Sequence, residues 1–403
     1  MIYIYYFFAG VLIYLSYRSF AGGIKYRRFV LDELTKGSSF TPFATIFAPC
    51  RGAEPGLEEN LAALFELDYP QYEIVFVTDD AADPSVAVIN KLMSNNRGKS
   101  AAKLIIAPKA EAASQKVENL REAVLHADPN SEIFAFVDSD VRPVRHWLRC
   151  LVAPLSEDNV GASTGYRWFI SKRRNLASEI RSAWNASIAS ALGPNRDSNF
   201  CWGGAMALRR DVFEGIGMRG LWSGTLSDDF AVTRAMKSEN LDIAYAPGAL
   251  TPSFEDCSFG EMIEFTTRQM KITRVYGTTF WVMSMVGSAL FTIVMAASIG
   301  VLIFNKQNQP AFIISLAALV LVSIFSIGKS ILRLQAVKAA IPELAPAVSR
   351  QYFPHCTLWA LTPAIFLFNS ISALFSRRLR WRGNVYELKS PNETVIISTN
   401  DGR

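Results

Sequence analysis

The sequence predicts an α/β fold: a doubly wound, mostly parallel mixed sheet, joined to helices that cross a membrane. Three observations carry that expectation. Between residues 40 and 275, short apolar runs alternate with segments of helical spacing, the pattern of strands linked by crossover helices. The runs are continuous in hydrophobicity rather than alternating, as strands covered on both faces require. Long apolar stretches lie near both ends; half of all residues are hydrophobic and mean hydropathy is positive, which suits a water-facing domain joined to membrane segments.

Residues 2–17 are almost wholly apolar and are followed by Arg18, Lys25, Arg27 and Arg28. A signal peptide carries its basic residues ahead of the apolar core, and no small-residue cleavage site is evident. Segment 1–24 therefore reads as a signal anchor, with the following domain on the cytoplasmic side.

Residues 40–257 read as that domain. Thr45-Ile46-Phe47-Ala48 is a strand, and Leu57 to Leu67 has helical spacing. Glu73 to Val77 is a second strand, followed by a helix from Ser85 to Met93 that Asp83-Pro84 opens. Leu104-Ile105-Ile106 is a third strand, and a helix follows from Val117 to His126. Ile133 to Val137 is the fourth, short, unbroken and bulky, and it ends in Asp138-Ser139-Asp140.

In parallel sheets, ligand groups collect on the loops after the strands. Asp138 and Asp140 are hard oxygen ligands at such a place, suited to Mg²⁺ or Mn²⁺ and a bound diphosphate. Asp-Ser-Asp is equally good turn chemistry. Pro49-Cys50-Arg51-Gly52 follows the first strand: Gly52 permits close backbone approach, Arg51 suits a phosphate, and a plain loop is the alternative. Asp80, after the second strand, offers a carboxylate to a base or ribose. Lys116 opens the helix before the acid strand and puts a cation at the same edge, or a plain exposed lysine.

A second acid pair, Asp228-Asp229, precedes a helix from Phe230 to Met236. Ser227 or Asp228 suits its N-cap, which leaves Asp229 as the freer base. Upstream, Trp202, Gly203 and Gly204 form a small-residue floor beside a large aromatic, suited to a sugar or a lipid headgroup, or simply a tight turn.

Residues 258–278 read as an interfacial amphipathic segment, and 279–376 as a membrane region with apolar stretches at 279–304, 311–328 and 356–375. Residues 377–403 read as a basic cytoplasmic tail. Three full spans put that tail on the wrong side, so one segment is re-entrant or interfacial, or another is hidden in 329–354. Pro363 and Asn369 make 356–375 the suspect.

Composition excludes several classes. The net charge of +5 is modest, and the basic residues lie beside apolar stretches, which marks orientation rather than a nucleic-acid surface. Five scattered cysteines and three scattered histidines support no disulfide framework, zinc site or Ser-His-Asp triad. There is no G-x-G-x-x-G and no P-loop, so neither dinucleotide nor ordinary ATPase chemistry is indicated.

Taken together, these residues resemble a membrane-bound glycosyltransferase of the GT-A fold, in particular the ceramide glucosyltransferases and related bacterial hopanoid-type lipid glycosyltransferases. The resemblance runs from the N-terminal anchor to Trp381-Arg382-Gly383-Asn384-Val385-Tyr386. Asp80, Asp138 with Asp140, and Asp228-Asp229 take the first three motif places in order. The fourth, (Gln/Arg)-x-x-Arg-Trp, falls on Arg268-Gln269-Met270-Lys271-Ile272, where Lys271 replaces arginine and Ile272 replaces tryptophan. A cation remains, without the fork of arginine.

The resemblance implies inverting transfer of a hexose, glucose first, from a UDP-sugar to a lipid acceptor such as ceramide in the bilayer. Asp80 would hold the nucleoside. Pro49, Arg51, Gly52, Lys116, Asp138, Arg268 and Lys271 would line the donor, with Asp138 and Asp140 placing the metal. Trp202, Gly203 and Gly204 would face the acceptor, and Asp229, with Asp228 beside it, would take the proton. A polysaccharide synthase and a non-catalytic nucleotide-sugar-binding scaffold are the competing readings.

Overall fold

The computed structural model describes residues 2–96 and 100–399. The chain divides into two compact units. An α/β unit holds Asp32–Lys172, Ala191–Glu255 and Arg377–Arg403; a helical unit holds Met1–Leu31, Arg173–Ser190 and Asp256–Ser376.

In chain order the strands are β1 (Ala44–Pro49), β2 (Tyr72–Thr78), β3 (Ala101–Ile106), β4 (Ile133–Val137), β5 (Val160–Thr164), β6 (Arg167–Phe169), β7 (Ala205–Arg209), β8 (Asp242–Tyr245), β9 (Thr251–Ser253), β10 (Arg378–Trp381), β11 (Asn384–Ser390) and β12 (Glu393–Ser398). Seven form one sheet in the order β3-β2-β1-β4-β7-β5-β8. β1 to β4 run parallel, β7 is antiparallel to both neighbours, and β5 and β8 run parallel. The expected mixed, parallel-dominated α/β sheet is thus present. β1 and β2 extend their predicted cores by a few residues, and β4 has the predicted bounds. β5 escapes periodicity because it is short and rich in small residues, and β8 because it has four residues.

The chain winds outward from β1 to β2 and β3, then returns to place β4 on the other side of β1. Ligand groups in open α/β sheets gather at such a reversal. Every residue of β4 is buried, so the strand is held on both faces and its exit is rigid. On one face Phe47 packs against Phe134 and Phe136, with ring centres 5.2 and 5.3 Å away; each such pair adds about 1 kcal/mol beyond area burial. On the other face Ile46, Ala135, Trp147 and Leu151 belong to a second cluster.

Local signals start the helices where expected. Asp83 caps Pro84–Asn95 by accepting from Ser85 N, with Pro84 at the first position. Ser114 caps Gln115–Ala123 by accepting from Val117 N, which puts Lys116 in the first turn.

Residues 378–398 depart from the expected tail. They form a three-stranded antiparallel sheet with Leu379, Tyr386 and Leu388 buried. Their alternation of apolar and polar residues is a strand signal that the basic charge of the segment masks.

In the helical unit, Ile2–Leu34, Thr278–Phe304 and Gln309–Ala340 are long and apolar enough to cross a membrane. Tyr352–Leu358 and Thr362–Phe375 are bent by 61° at a short break, a broken span or a re-entrant loop. The break falls in the segment that charge parity singles out. Tyr5 Oη lies 2.9 Å from Ser298 Oγ and 2.6 Å from Ser315 Oγ, while Lys329 Nζ donates to Ser19 Oγ at 2.8 Å. Contacts at Tyr5 with Ser315 and at Ser19 with Lys329 make the first and third of these helices parallel. Residues 259–276 form one helix, opened by a capping box between Ser258 and Glu261.

Candidate active site

The site is built on the exits of β1, β2 and β4 and on two helix starts. Ser114 ties those starts together. Its Oγ donates to Leu226 O at 2.7 Å and its N donates to Thr225 O at 3.1 Å. The loop before Asp228 is thereby held against the turn that carries Lys116.

Lys116 Nζ sits 2.7 Å from Asp138 Oδ1 and 3.1 Å from Asp228 Oδ1. Arg167, on β6, reaches Asp138 Oδ2 at 3.3 Å and Asp140 Oδ1 at 2.7 Å. Arg382, in the turn between β10 and β11, lies 3.8 Å from Asp140 Oδ2 and pairs with Glu54. Three cations therefore interleave with the acids of both motifs.

Low water access makes these contacts strong. Burial opposes ionisation of Asp138, but Lys116 and then Arg167 outweigh it and hold its carboxyl below the usual range. Burial likewise opposes the charge of Lys116, yet Asp138 and Asp228 keep it protonated far above the ordinary lysine range. Asp228 is 2% exposed. Burial pushes its carboxyl up to about 6 against the pull of Lys116. Its Oδ2 is buried without a hydrogen-bond partner.

Of the two expected N-cap residues, Ser227 takes the position, but the freer acid is not Asp229. Ser227 is the N-cap residue but makes no side-chain cap bond. Asp229 holds the backbone donors instead: Oδ1 accepts from Phe230 N at 2.7 Å and from Ser227 Oγ, and Oδ2 accepts from Gly203 N at 3.0 Å. Asp228 turns inward to Lys116. Sequence spacing could not separate two adjacent acids, because the helix start sends them in different directions.

Gly203 and Gly204 are a turn and a floor at once. A Cβ at residue 203 would stand 2.4 Å from Asp228 Oδ2 and 2.8 Å from Lys116 Nζ. At residue 204 it would meet the Trp202 ring at 2.2 Å and Asp138 Oδ2 at 2.9 Å. Trp202 is half-buried, with the Arg167 guanidinium 5.2 Å from its ring centre.

Arg51, Gly52, Pro49 and Asp80 lie at or after the ends of β1 and β2. Arg51 Nη2 donates to Asn384 Oδ1 at 3.4 Å. Gly52 has open space around it and a φ of +71°, so its role is conformational rather than close approach; its N donates to the Asp83 carboxylate at 2.9 and 3.0 Å. Pro49 ends β1. Asp80 is exposed, accepting from Ala82 N at 2.9 Å, while the adjacent Asp79 is buried and pairs with Lys109 at 2.8 Å. Arg268 and Lys271 belong to the helical unit, on Phe259–Tyr276, with Arg268 over the Phe265 ring at 5.5 Å.

Sequence reasoning missed Arg167, Arg382, Glu54 and the Asp79–Lys109 pair. Arg167 stood in an aromatic run, Tyr166-Arg167-Trp168-Phe169, whose charged member was the signal. Arg382 was hidden among tail basics.

For a divalent cation the donor chemistry fits at Asp140. Among the described residues no three His, Cys, Asp or Glu side chains gather around one point. Both oxygens of Asp138 are engaged by Lys116 and Arg167, which does not suit it as a direct ligand. Among the described residues Asp140 Oδ2 has Arg382 at 3.8 Å and no closer cation. One carboxylate completed by diphosphate oxygens and water is a set that Mg²⁺ or Mn²⁺ accepts.

The sequence model of Glycosyl transferase family 21 matches residues 11–394. The chain belongs to that family. It is a glycosyltransferase-family chain with a mixed, parallel-dominated α/β sheet and, among the described residues, three helices long and apolar enough for a membrane. Among solved structures it is similar to the mannosyltransferase PcManGT from Pyrobaculum calidifontis, solved in complex with GDP-Man and Mn²⁺. The identity is 18%, over 91% of this chain and 99% of that one, with a TM-score of 0.47. It is also similar to GalNAc-T7, solved with UDP, GalNAc and Mn²⁺, at 14% identity over 58% of this chain and 49% of that one, with a TM-score of 0.41.

Proposed function

We propose that this chain is a membrane glycosyltransferase that moves a hexose, glucose first, from a UDP-sugar to the hydroxyl of a lipid such as ceramide, with inversion. The observation that carries the reading is the shared ammonium of Lys116, which couples Asp138 of one motif to Asp228 of the other. Donor and acceptor chemistry then meet at one point.

In this reading the lipid hydroxyl approaches over Gly203 and Gly204 beside Trp202. Its oxygen bonds to the anomeric carbon as the bond from that carbon to the diphosphate oxygen breaks, and UDP leaves with the electron pair. Asp228, with a raised carboxyl and an unpartnered oxygen, takes the hydroxyl proton. Asp229 fixes the Gly203 backbone through its bond to that N–H. Lys116, Arg167 and Arg382 face the growing charge of the diphosphate as preorganised cations. Arg51, Gly52 and Asp80 border the donor. A divalent cation at Asp140 would supply further charge for the leaving group. Single displacement uses no enzyme nucleophile, which agrees with Cys50, whose thiol burial pushes up to about 12.

The helices suited to a membrane fit an acceptor that stays in the bilayer with the α/β unit on the cytoplasmic side. The deciding experiment incubates the purified full chain with UDP-glucose, Mn²⁺ and ceramide in lipid nanodiscs, then reads UDP release and the lipid products by mass spectrometry. Acceptor-dependent release of UDP with one new hexosyl lipid supports the reading. Long polymer would establish the synthase, and binding without turnover would establish the scaffold.

A further inference from the structure

The helical unit contains two cations that no acid pairs with among the described residues. Lys329 and Arg333 are one turn apart on Gln309–Ala340, so they share a face. Arg333 is 6% exposed. Its hydrogen-bond partner is Ser190 Oγ, at 3.5 Å from Nη1, and its Nε is buried with no partner. Lys329 Nζ donates to Ser19 Oγ at 2.8 Å.

Among the described residues, neither one forms an ion pair with a carboxylate. Lys329 responds to Arg333, and Arg333 to Tyr26 and Cys356. From residue 279 to 376 the sequence has a single acidic residue, Glu343, against Lys306, Lys329, Arg333, Lys338 and Arg350. Like charges enclosed together without a counter-charge are costly, so the pair is built for an anion that arrives from outside the chain.

The level of the pair identifies the source. The apolar stretch 311–328 ends immediately before Lys329. At 1.5 Å per residue it spans about 27 Å, close to the hydrocarbon thickness of a bilayer. The apolar stretch 2–17 ends one residue before Arg18 and Ser19, and the Lys329–Ser19 bond brings both ends to one height. That height is where lipid phosphates lie. The hydroxyls of Ser19 and Ser190 are at hand.

We propose that Lys329 and Arg333 bind the phosphate of an anionic membrane lipid, a site distinct from the transfer chemistry and independent of the donor and acceptor assigned above. The test uses the detergent-purified full chain. Native mass spectrometry and thermal melting are followed while phosphatidylglycerol, phosphatidylcholine or inorganic phosphate is titrated. The wild type is expected to retain one phosphatidylglycerol and to melt higher as it is added, with a smaller response to phosphatidylcholine.

Arg333→Met and Lys329→Gln are each expected to weaken that binding at least tenfold. Lipid-free Arg333→Met is expected to melt no lower than the wild type, because it removes an unbalanced buried charge. Should Arg333→Met fail to fold, Lys329→Gln carries the test. An equal shift with millimolar inorganic phosphate would identify a general phosphate site and overturn the lipid source. Unchanged phosphatidylglycerol retention in Lys329→Gln would overturn the site.

Discussion

Asp138 and Asp228, distant along the chain, hold one ammonium group: Lys116 Nζ lies 2.7 Å from the first and 3.1 Å from the second. Removing the ammonium leaves two buried carboxylates facing each other. Lys116→Met is expected to cost about 3–5 kcal/mol of stability and to lower kcat by about 10²–10³, read by thermal melting and UDP release. The double variant Lys116→Met with Asp228→Asn should recover much of the stability and none of the turnover. Full additivity of the two losses would show that the pair is uncoupled.

The adjacent acids divide their labour. If Asp228 accepts the proton, kcat/KM falls as pH drops through about 6, because burial raises its carboxyl there and only the ionised form is a base. Asp228→Asn is expected to abolish turnover while donor binding persists. Asp229→Asn should act through the loosened Gly203 backbone, lowering the rate while the acid limb remains. A dead Asp229→Asn beside an active Asp228→Asn would return the base to Asp229.

Gly203 has no room for a side chain. Gly203→Ala places a Cβ 2.4 Å from Asp228 Oδ2 and must displace either that carboxylate or the loop. The expected result is loss of turnover with about 1–3 kcal/mol of destabilisation, measured by melting and product assay. Wild-type kinetics in that variant would mean the loop gives way freely.

Arg382 combines strain with charge. Its φ is +50° and that of Gly383 is +83°, the left-handed pair that a two-residue hairpin turn demands. Asparagine tolerates this conformation better than arginine, so Arg382→Asn is expected to fold as stably as the wild type. Its KM for the UDP-sugar should rise about tenfold as the cation beside Asp140 is lost, if donor binding uses it. Deleting the segment after Ser376 removes buried Tyr386 and Leu388 and is expected to destabilise the α/β unit, not merely trim a tail.

Divalent-cation dependence checks the role of Asp140. Chelation should abolish transfer and added Mn²⁺ should restore it, while Asp140→Asn should raise the Mn²⁺ concentration needed. Asp138→Asn should instead release Lys116 and Arg167 and weaken donor binding at every Mn²⁺ concentration. Identical Mn²⁺ titrations for wild type and Asp140→Asn would remove Asp140 from the metal.

Local order along the chain was enough for β4 and its bounds, the cap at Asp83, the placement of Lys116 in a first helical turn and the apolar stretches. Each depends on residues within a few positions: hydrophobic period, capping chemistry, the exit of a covered strand. The acids after β4 and at the start of the helix Asp228–Ser238 were visible for the same reason.

Tertiary structure alone decided which of two neighbouring aspartates faces Lys116, that Arg167 and Arg382 reach the acids, and that residues 378–398 are a sheet rather than a tail. Side-chain direction at a helix start and pairings across long loops depend on packing partners remote in sequence. A charged residue reads alike in isolation whether it meets water or a buried carboxylate; only the folded chain brings the counter-charge into reach.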